Sequence, residues 1–120
     1  MSNYLKDLED SRLLFKTFCD GLMYGMFFYH GETLHRVVSI EGLDDTVNGA
    51  YPIKECRPCL RPMSSMTEDE TIEYHRLRVN SNISGEFALF VDWLNKKHLD
   101  YRGLIEKGLA EEWEEKQAQV

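Results

Sequence analysis

The chain has 120 residues, of which 42% are hydrophobic and 12% aromatic, and its formal net charge is −7. This length suits a single domain that buries a core without help from disulfides or metal. The acidity argues against direct nucleic-acid binding, because neutralising phosphates requires a basic face. We interpret the charge as a contribution to solubility, with mimicry of a nucleic-acid backbone as the alternative.

The start of the chain and its longest apolar run bear on its location. Residues 1–7 lack the basic start and the apolar stretch of a signal peptide. Residues 22–29 form the longest apolar run, which Gly25 interrupts and which is too short to span a bilayer. The sequence therefore predicts a cytoplasmic protein without membrane attachment, in which the cysteines are reduced.

The first predicted element is an amphipathic helix over residues 3–20. Apolar side chains recur there at helical spacing, and charged residues take the other side. Asn3 is a suitable N-cap and Gly21 a suitable stop. The side chains predicted to face the core are Leu5, Leu8, Phe15, Phe18 and Cys19.

Three extended segments are predicted after this helix. Residues 22–29 and 33–41 form a hairpin, because Gly31 between them can adopt the positive φ of a tight turn. After a polar loop, residues 51–60 form the third segment. The prolines at positions 58 and 62 remove backbone donors, so this segment is expected at a sheet edge or outside the sheet.

The second half of the chain is predicted to be mainly helical. Thr67 and Glu70 match a capping box, but residues 68–83 fit a strand as well as a helix. We expect one or two helical turns there that become irregular near residues 80–82. Ser84 then starts the clearest helix, whose apolar stripe is formed by Phe87, Phe90, Val91 and Leu94, with Leu89 and Trp93 beside it.

A last short helix is predicted from Asp100, as its cap, to Leu109. The order of elements predicts an α+β fold, with a small, mostly antiparallel sheet covered on one face by the N-terminal helix and the C-terminal helices. We expect residues 1–110 to form this single domain. Residues 111–120 are expected to form an acidic tail that frays.

Cys56 and Cys59 form a C-x-x-C pair, the one feature that suggests metal or redox chemistry. Zinc would need two more ligands, and an extended segment would point the two thiols to opposite faces. We expect one of these cysteines to be buried and the other to lie on the surface. A small metal-binding or nucleic-acid-handling module built on this pair remains the alternative function. We assign no catalytic residue, cofactor or metal, because the sequence lacks a nucleophile elbow and a phosphate-binding loop.

The arginines at positions 57, 61 and 102 leave two interpretations open. They form a binding patch, because a guanidinium makes bidentate and stacking contacts. Alternatively they act internally, with Arg61 donating to the carbonyls at a helix C-terminus or to a carboxylate such as Asp100. The internal interpretation is favoured for Arg61, because its fork can fix a loop that lacks ladder hydrogen bonds.

Two segments carry a resemblance to a known family. Leu-Arg-Pro-Met-Ser-Ser-Met-Thr occupies residues 60–67, and Asp-Trp-Leu-Asn occupies residues 92–95. His-Leu-Asp-Tyr-Arg-Gly-Leu-Ile follows at residues 98–105, with Leu99 where the family usually has Phe, and Gly-Leu-Ala ends the match at residues 108–110. These segments resemble a family of small uncharacterised proteins encoded by phages, prophages and mobile elements of Bacteroidetes-type bacteria. The first 55 residues and the acidic tail depart from the family.

The resemblance implies an accessory protein that works inside a bacterial host cell, and it supplies no catalytic residues. Such proteins commonly bind host machinery, so we expect a host protein or ribonucleoprotein as the partner. Inhibition of a host defence, as by an anti-CRISPR protein, is one role of this kind. An unrecognised enzyme is the least favoured hypothesis. The oligomeric state is left open, and the expected partner contacts are Arg61, Tyr101, Arg102 and Trp113.

Overall fold

The computed structural model describes residues 2–113, which form three α-helices and seven short strands. None of these helices is long and apolar enough to cross a membrane. The predicted α+β class is confirmed. The elements are α1 (Ser2–Gly21), β1 (Phe27–His30), β2 (Thr33–Arg36), β3 (Ile40–Glu41), β4 (Thr46–Val47), β5 (Tyr51–Pro52), β6 (Cys56–Leu60), α2 (Glu68–Ser84), α3 (Phe87–Lys96) and β7 (Glu111–Glu112).

The predicted N-terminal helix is confirmed as α1, although its packing differs from the predicted stripe. The helix begins at Ser2, so Asn3 lies inside it and does not act as its cap. Leu14 and Phe18 are buried, whereas Leu5, Leu8 and Cys19 are exposed. The difference arises because only the C-terminal half of α1 lies over the core.

The main sheet has four strands in the order β2-β1-β6-β7. The predicted hairpin is confirmed, with His30 paired to Thr33 and Gly31 at a φ of 61° in the turn. Its first strand is shorter than predicted, because a 3₁₀ turn occupies Leu22–Tyr24. The ring of Phe18 on α1 meets the ring of Phe28 on β1 edge-on, with centroids 5.7 Å apart.

β6 lies inside the sheet, so the expected edge position of this segment is wrong. It pairs antiparallel with β1 through Cys56 to Pro58 and parallel with β7 through Cys59 and Leu60. Pro58 is tolerated because the two pairings use different parts of the strand. The fraying expected from residue 111 is also wrong for β7, whereas residues 114–120 lie outside the described residues.

A second sheet has the order β3-β4-β5, and its middle strand lies within the predicted polar loop. The Glu41 carboxylate organises this loop. It accepts hydrogen bonds from the Ser39 hydroxyl at 2.6 Å, the Thr46 hydroxyl at 3.1 Å and the Gly49 amide at 2.9 Å. These contacts let a two-residue strand persist where the sequence shows only turn residues.

The predicted capping box is confirmed at the start of α2. The Thr67 hydroxyl accepts from the Glu70 amide at 3.2 Å, and the Glu70 carboxylate accepts from the Thr67 amide at 3.0 Å. The helix then continues without a break to Ser84, so the irregular segment expected near residues 80–82 is wrong. Ser84 ends α2 and does not start α3, because Gly85 takes a left-handed φ of 76°.

The short helix expected from Asp100 to Leu109 is replaced by hydrogen-bonded turns. Asp100 still acts as a cap, since its carboxylate accepts from the amides of Leu104 at 2.7 Å and Ile105 at 3.0 Å. Gly103 and Gly108 both have positive φ, which interrupts the helical path. The core beneath these turns contains Leu14, Phe18, Met26, Phe28, Val37, Val47, Ile53, Cys56, Leu60, Leu104 and Ala110.

Candidate partner-binding surface

Arg61, a predicted partner contact, uses its side chain inside the protein. Its two Nη atoms donate to the two carboxylate oxygens of Glu70 at 2.9 and 2.7 Å, a bidentate ion pair. It also donates to the Ser65 carbonyl at 3.2 Å and to the Lys97 carbonyl, near the end of α3, at 3.4 Å. The internal interpretation is therefore supported, with Glu70 in place of Asp100.

Tyr101 and Arg102 join the C-terminal turns to α1. The Arg102 guanidinium forms an ion pair with Asp20 and donates to the Thr17 hydroxyl at 3.2 Å. It also lies over the Tyr101 ring, 4.6 Å from the centroid, and the Tyr101 hydroxyl donates to Asn95 Oδ1 at 2.9 Å. Both side chains are occupied by contacts within the chain.

Trp113, the fourth predicted contact, packs between two aromatic side chains. Its ring stacks on His98 with centroids 5.3 Å apart and an angle of 3° between the planes, and it lies 5.8 Å from Phe27. The Trp113 amide donates to the Leu60 carbonyl at 2.7 Å, extending the β6–β7 pairing. Burial lowers the pKa of His98, so this stack contains a neutral imidazole at pH 7.

These observations give the two resembling segments a structural role. Residues 60–67 and 98–105 meet where the Arg61 amide donates to the His98 carbonyl at 2.7 Å and the Asp100 amide donates to the Arg61 carbonyl at 2.8 Å. Arg61 then links this junction to α2 and to the end of α3, and Arg102 links it to α1. The segments that look most distinctive in the sequence therefore hold the framework together.

Cys56 and Cys59 are both buried, so the expected surface position of one of them is wrong. The Cys56 thiol donates to the Pro52 carbonyl at 3.3 Å, and burial raises its pKa to about 11. Such a thiol is protonated at neutral pH. Within residues 2–113, no group of three His, Cys, Asp or Glu side chains is placed to hold a metal ion.

Histidines also gather on the main sheet, in a way that the sequence does not reveal. The Tyr51 ring lies between His30 and His35, at centroid distances of 4.9 and 4.6 Å, and His35 stacks on Phe28. His30 Nε2 is 3.0 Å from the Glu55 carboxylate. The rings pack on one another, an arrangement that contributes to structural packing.

The outer face of α2 differs from all of these sites because its apolar side chains have no cover. Ile72, Val79 and Ile83 are 62%, 50% and 81% exposed. At 100° per residue they lie within a narrow sector of the helix, and together they run along most of its length. We call these three side chains the outer face of α2.

The opposite side of the same helix is covered by α3. The Tyr74 ring lies 5.4 Å from Phe90 and 6.5 Å from Trp93, measured between centroids, and Ser81 is buried. α2 is therefore apolar on two sides but packed on only one. Packing on α3 explains the inner side, whereas the three side chains of the outer face are exposed.

Charged groups flank the outer face of α2. Arg76 lies beside this sector, on the turn between Ile72 and Val79, and forms an ion pair with Glu73, one turn before it. Glu68, Asp69 and Glu70 make the first turn of the helix acidic. A partner would therefore meet an aliphatic strip that charges of both signs surround, the usual arrangement of a core and a polar rim.

Sequence reasoning missed this surface, although its signal was present. Ile72, Val79 and Ile83 are separated by seven and four residues, a spacing that marks one side of a helix. The spacing has meaning only if residues 68–84 are helical throughout.

Comparisons of the chain with protein-family models, with curated proteins and with solved structures found no match.

Proposed function

We propose that this chain is an accessory protein of a phage or mobile element that binds a host protein or ribonucleoprotein without catalysing a reaction. Inhibition of a host defence, including a CRISPR effector, is the role that such binding would serve. The observation that carries the proposal is the uncovered outer face of α2, with Ile72, Val79 and Ile83 exposed in line.

The chemistry of this face suits a protein partner. Aliphatic side chains that share one side of a helix are the anchors that an amphipathic helix presents to an apolar groove. Burying apolar surface contributes about 25 cal/mol per Å² before the costs of association are subtracted. The partner should therefore offer an apolar groove with polar edges.

The net charge of −7 and the two resembling segments add support of a different kind. A strongly acidic protein binds nucleic acid poorly by phosphate contacts, so protein is the favoured component of any ribonucleoprotein target. The resembling segments supply the phage or mobile-element setting. They lie where β6 meets the C-terminal turns, and their side chains are used in contacts within the chain.

The test is affinity capture of the tagged protein from lysate of its bacterial host, with mass spectrometry of the bound fraction. We expect one host complex to be recovered in stoichiometric amount by the original chain. Val79→Lys combined with Ile83→Lys should reduce its recovery at least about tenfold, because two charges would enter the apolar contact. Circular dichroism should show an unchanged fold, since both side chains are exposed.

Leu43→Lys is the matched control. Leu43 is a fully exposed leucine in the loop after β3 and is not part of α2. Its replacement should leave recovery of the complex unchanged. The proposal fails if no host complex is captured, or if Leu43→Lys and the double variant reduce capture equally.

A further inference from the structure

The N-terminal half of α1 extends beyond the body of the protein. Every side chain from Asn3 to Glu9 is exposed, including Tyr4 at 71%, Leu5 at 65% and Leu8 at 41%. The first turn of this helix carries no acidic residue that would favour its dipole. Helical segments this short are marginal in water without tertiary packing. We call residues 3–9 the overhang.

A groove begins where the overhang ends. It has a volume of about 400 Å³ and runs between α1 and the loops around β4. Leu8 belongs to both features, since it forms one end of the groove. The other lining residues are Ser11, Arg12, Phe15, Gly42, Asp45, Ile53 and Lys54.

We propose that a second copy of this chain covers this surface. The two α1 helices would cross antiparallel about Leu8, so that the overhang of each copy lies over the groove of the other. A two-fold contact requires one patch that complements itself. This patch meets the requirement because it contains the apolar overhang and, beside it, the groove.

The sequence of α1 is also complementary to itself when it is reversed about Leu8. Tyr4 and Arg12 are equally distant from Leu8, so each tyrosine comes within reach of the arginine of the other copy. Arginine over a tyrosine ring is a favourable pair. Tyr4 and Arg12 each lie about 40° from Leu8 around the helix, on the side that would face the other copy.

Charge favours a second copy over an unrelated partner of one sign. The rim of the groove carries Arg12, Lys54 and Asp45, and the overhang carries Lys6, Asp7 and Glu9. Both features are thus of mixed sign. Neither a strongly acidic nor a strongly basic ligand is selected by such a surface. The inference is independent of the proposed role of α2.

The first test is sedimentation velocity of the purified chain from low micromolar to submillimolar concentration. We expect a reversible dimer. Leu8→Lys should raise its dissociation constant at least about tenfold, because two like charges would meet at the two-fold axis. Ile72→Lys is the matched control: Ile72 is 62% exposed on a different helix, and the variant should dimerise like the original chain.

Cysteine cross-linking tests the antiparallel register. In a Cys19→Ser background, a mixture of Tyr4→Cys and Arg12→Cys chains should form a disulfide-linked heterodimer under mild oxidation. Tyr4→Cys chains alone should not cross-link, because the two copies of position 4 lie at opposite ends of the contact. A chain that is monomeric at every concentration, a dimer that Leu8→Lys leaves intact, or cross-linking of Tyr4→Cys to itself would each overturn the proposal.

Discussion

Glu70 performs two functions at once, and they can be separated experimentally. Its carboxylate closes the capping box with Thr67 and forms the bidentate ion pair with Arg61. The hydrogen bonds from the Arg61 guanidinium hold the pKa of Glu70 at about 2, against an ordinary value of 4.5. A carboxyl with a lowered pKa stabilises the fold above its unfolded pKa and loses that effect in acid.

Glu70→Gln should therefore destabilise the protein in a pH-dependent way. Glutamine still accepts the capping hydrogen bond, so the change removes mainly the charge. We expect a loss of about 2 kcal/mol in the free energy of unfolding at pH 7, allowing for some solvent screening of the pair. The difference from the original chain should shrink as the pH falls from about 4.5 towards 2. Urea unfolding followed by circular dichroism at each pH measures it.

Glu73→Gln is the control for this experiment. Glu73 also has a lowered pKa because Arg76 donates to it, but this pair lies on the surface of α2. Water screens such a pair, so its removal should have little effect. An equal loss in the two variants would contradict a special role for the Arg61–Glu70 pair.

Among the elements, β7 shows most clearly what limits prediction from sequence. The capping box of α2 was predictable because its two partners are three residues apart. The remainder of α2 was not predictable, since residues 68–83 fit the periodicity of a helix as well as that of a strand. Only the packing of Tyr74 on α3 decides between the two. β7 gave no local signal at all, because Glu-Glu-Trp is a poor strand sequence that pairing with β6 stabilises.

Trp113→Ala should release β7 from the sheet. The stack on His98 and the contact with Phe27 are the main apolar contacts of this segment, and a strand of two residues has little else to hold it. We expect the amide of residue 113, which donates to the Leu60 carbonyl, to exchange with solvent at least about tenfold faster. Trp113→Phe keeps a flat ring on His98 and should retain most of the protection. If Trp113→Ala keeps its protection as Trp113→Phe does, the stack on His98 is not what holds β7 in the sheet.

At the scale of the whole molecule, α2 and α3 form a hairpin that Arg61 and Tyr101 join to the rest of the protein. α2 packs principally on α3 among the described elements. Arg61, at the end of β6, reaches both helices through Glu70 and the Lys97 carbonyl. The two helices should therefore open together, at a lower free energy than the strands β1 and β6.

Arg61→Met tests this view of the molecule. The substitution keeps an unbranched side chain but removes the ion pair and leaves Glu70 half-buried without its partner. Hydrogen exchange followed by mass spectrometry should show α2 and α3 losing protection together, while β1 and β2 change less. Equal loss in all four elements would mean that the molecule opens as one unit.

The candidate site was predictable only in part, and the reason lies in long-range contacts. The sequence singled out Arg61 and Arg102, and it favoured an internal role for Arg61, which the ion pair with Glu70 supports. It could not show that Arg102 meets Asp20, which is 82 residues earlier in the chain. The exposed Ile72, Val79 and Ile83 were hidden for the opposite reason, because their position depends on a helix that the local pattern left undecided.

The parallel pairing of β6 with β7 also fixes an order of events during synthesis. Fifty residues separate Leu60 from Glu111, so the edge of β6 is made long before the strand that covers it. A nascent chain that has not reached residue 112 exposes the backbone groups of Cys59 and Leu60 to any other strand. Truncated products ending before β7 should therefore be the species of this protein most prone to aggregate.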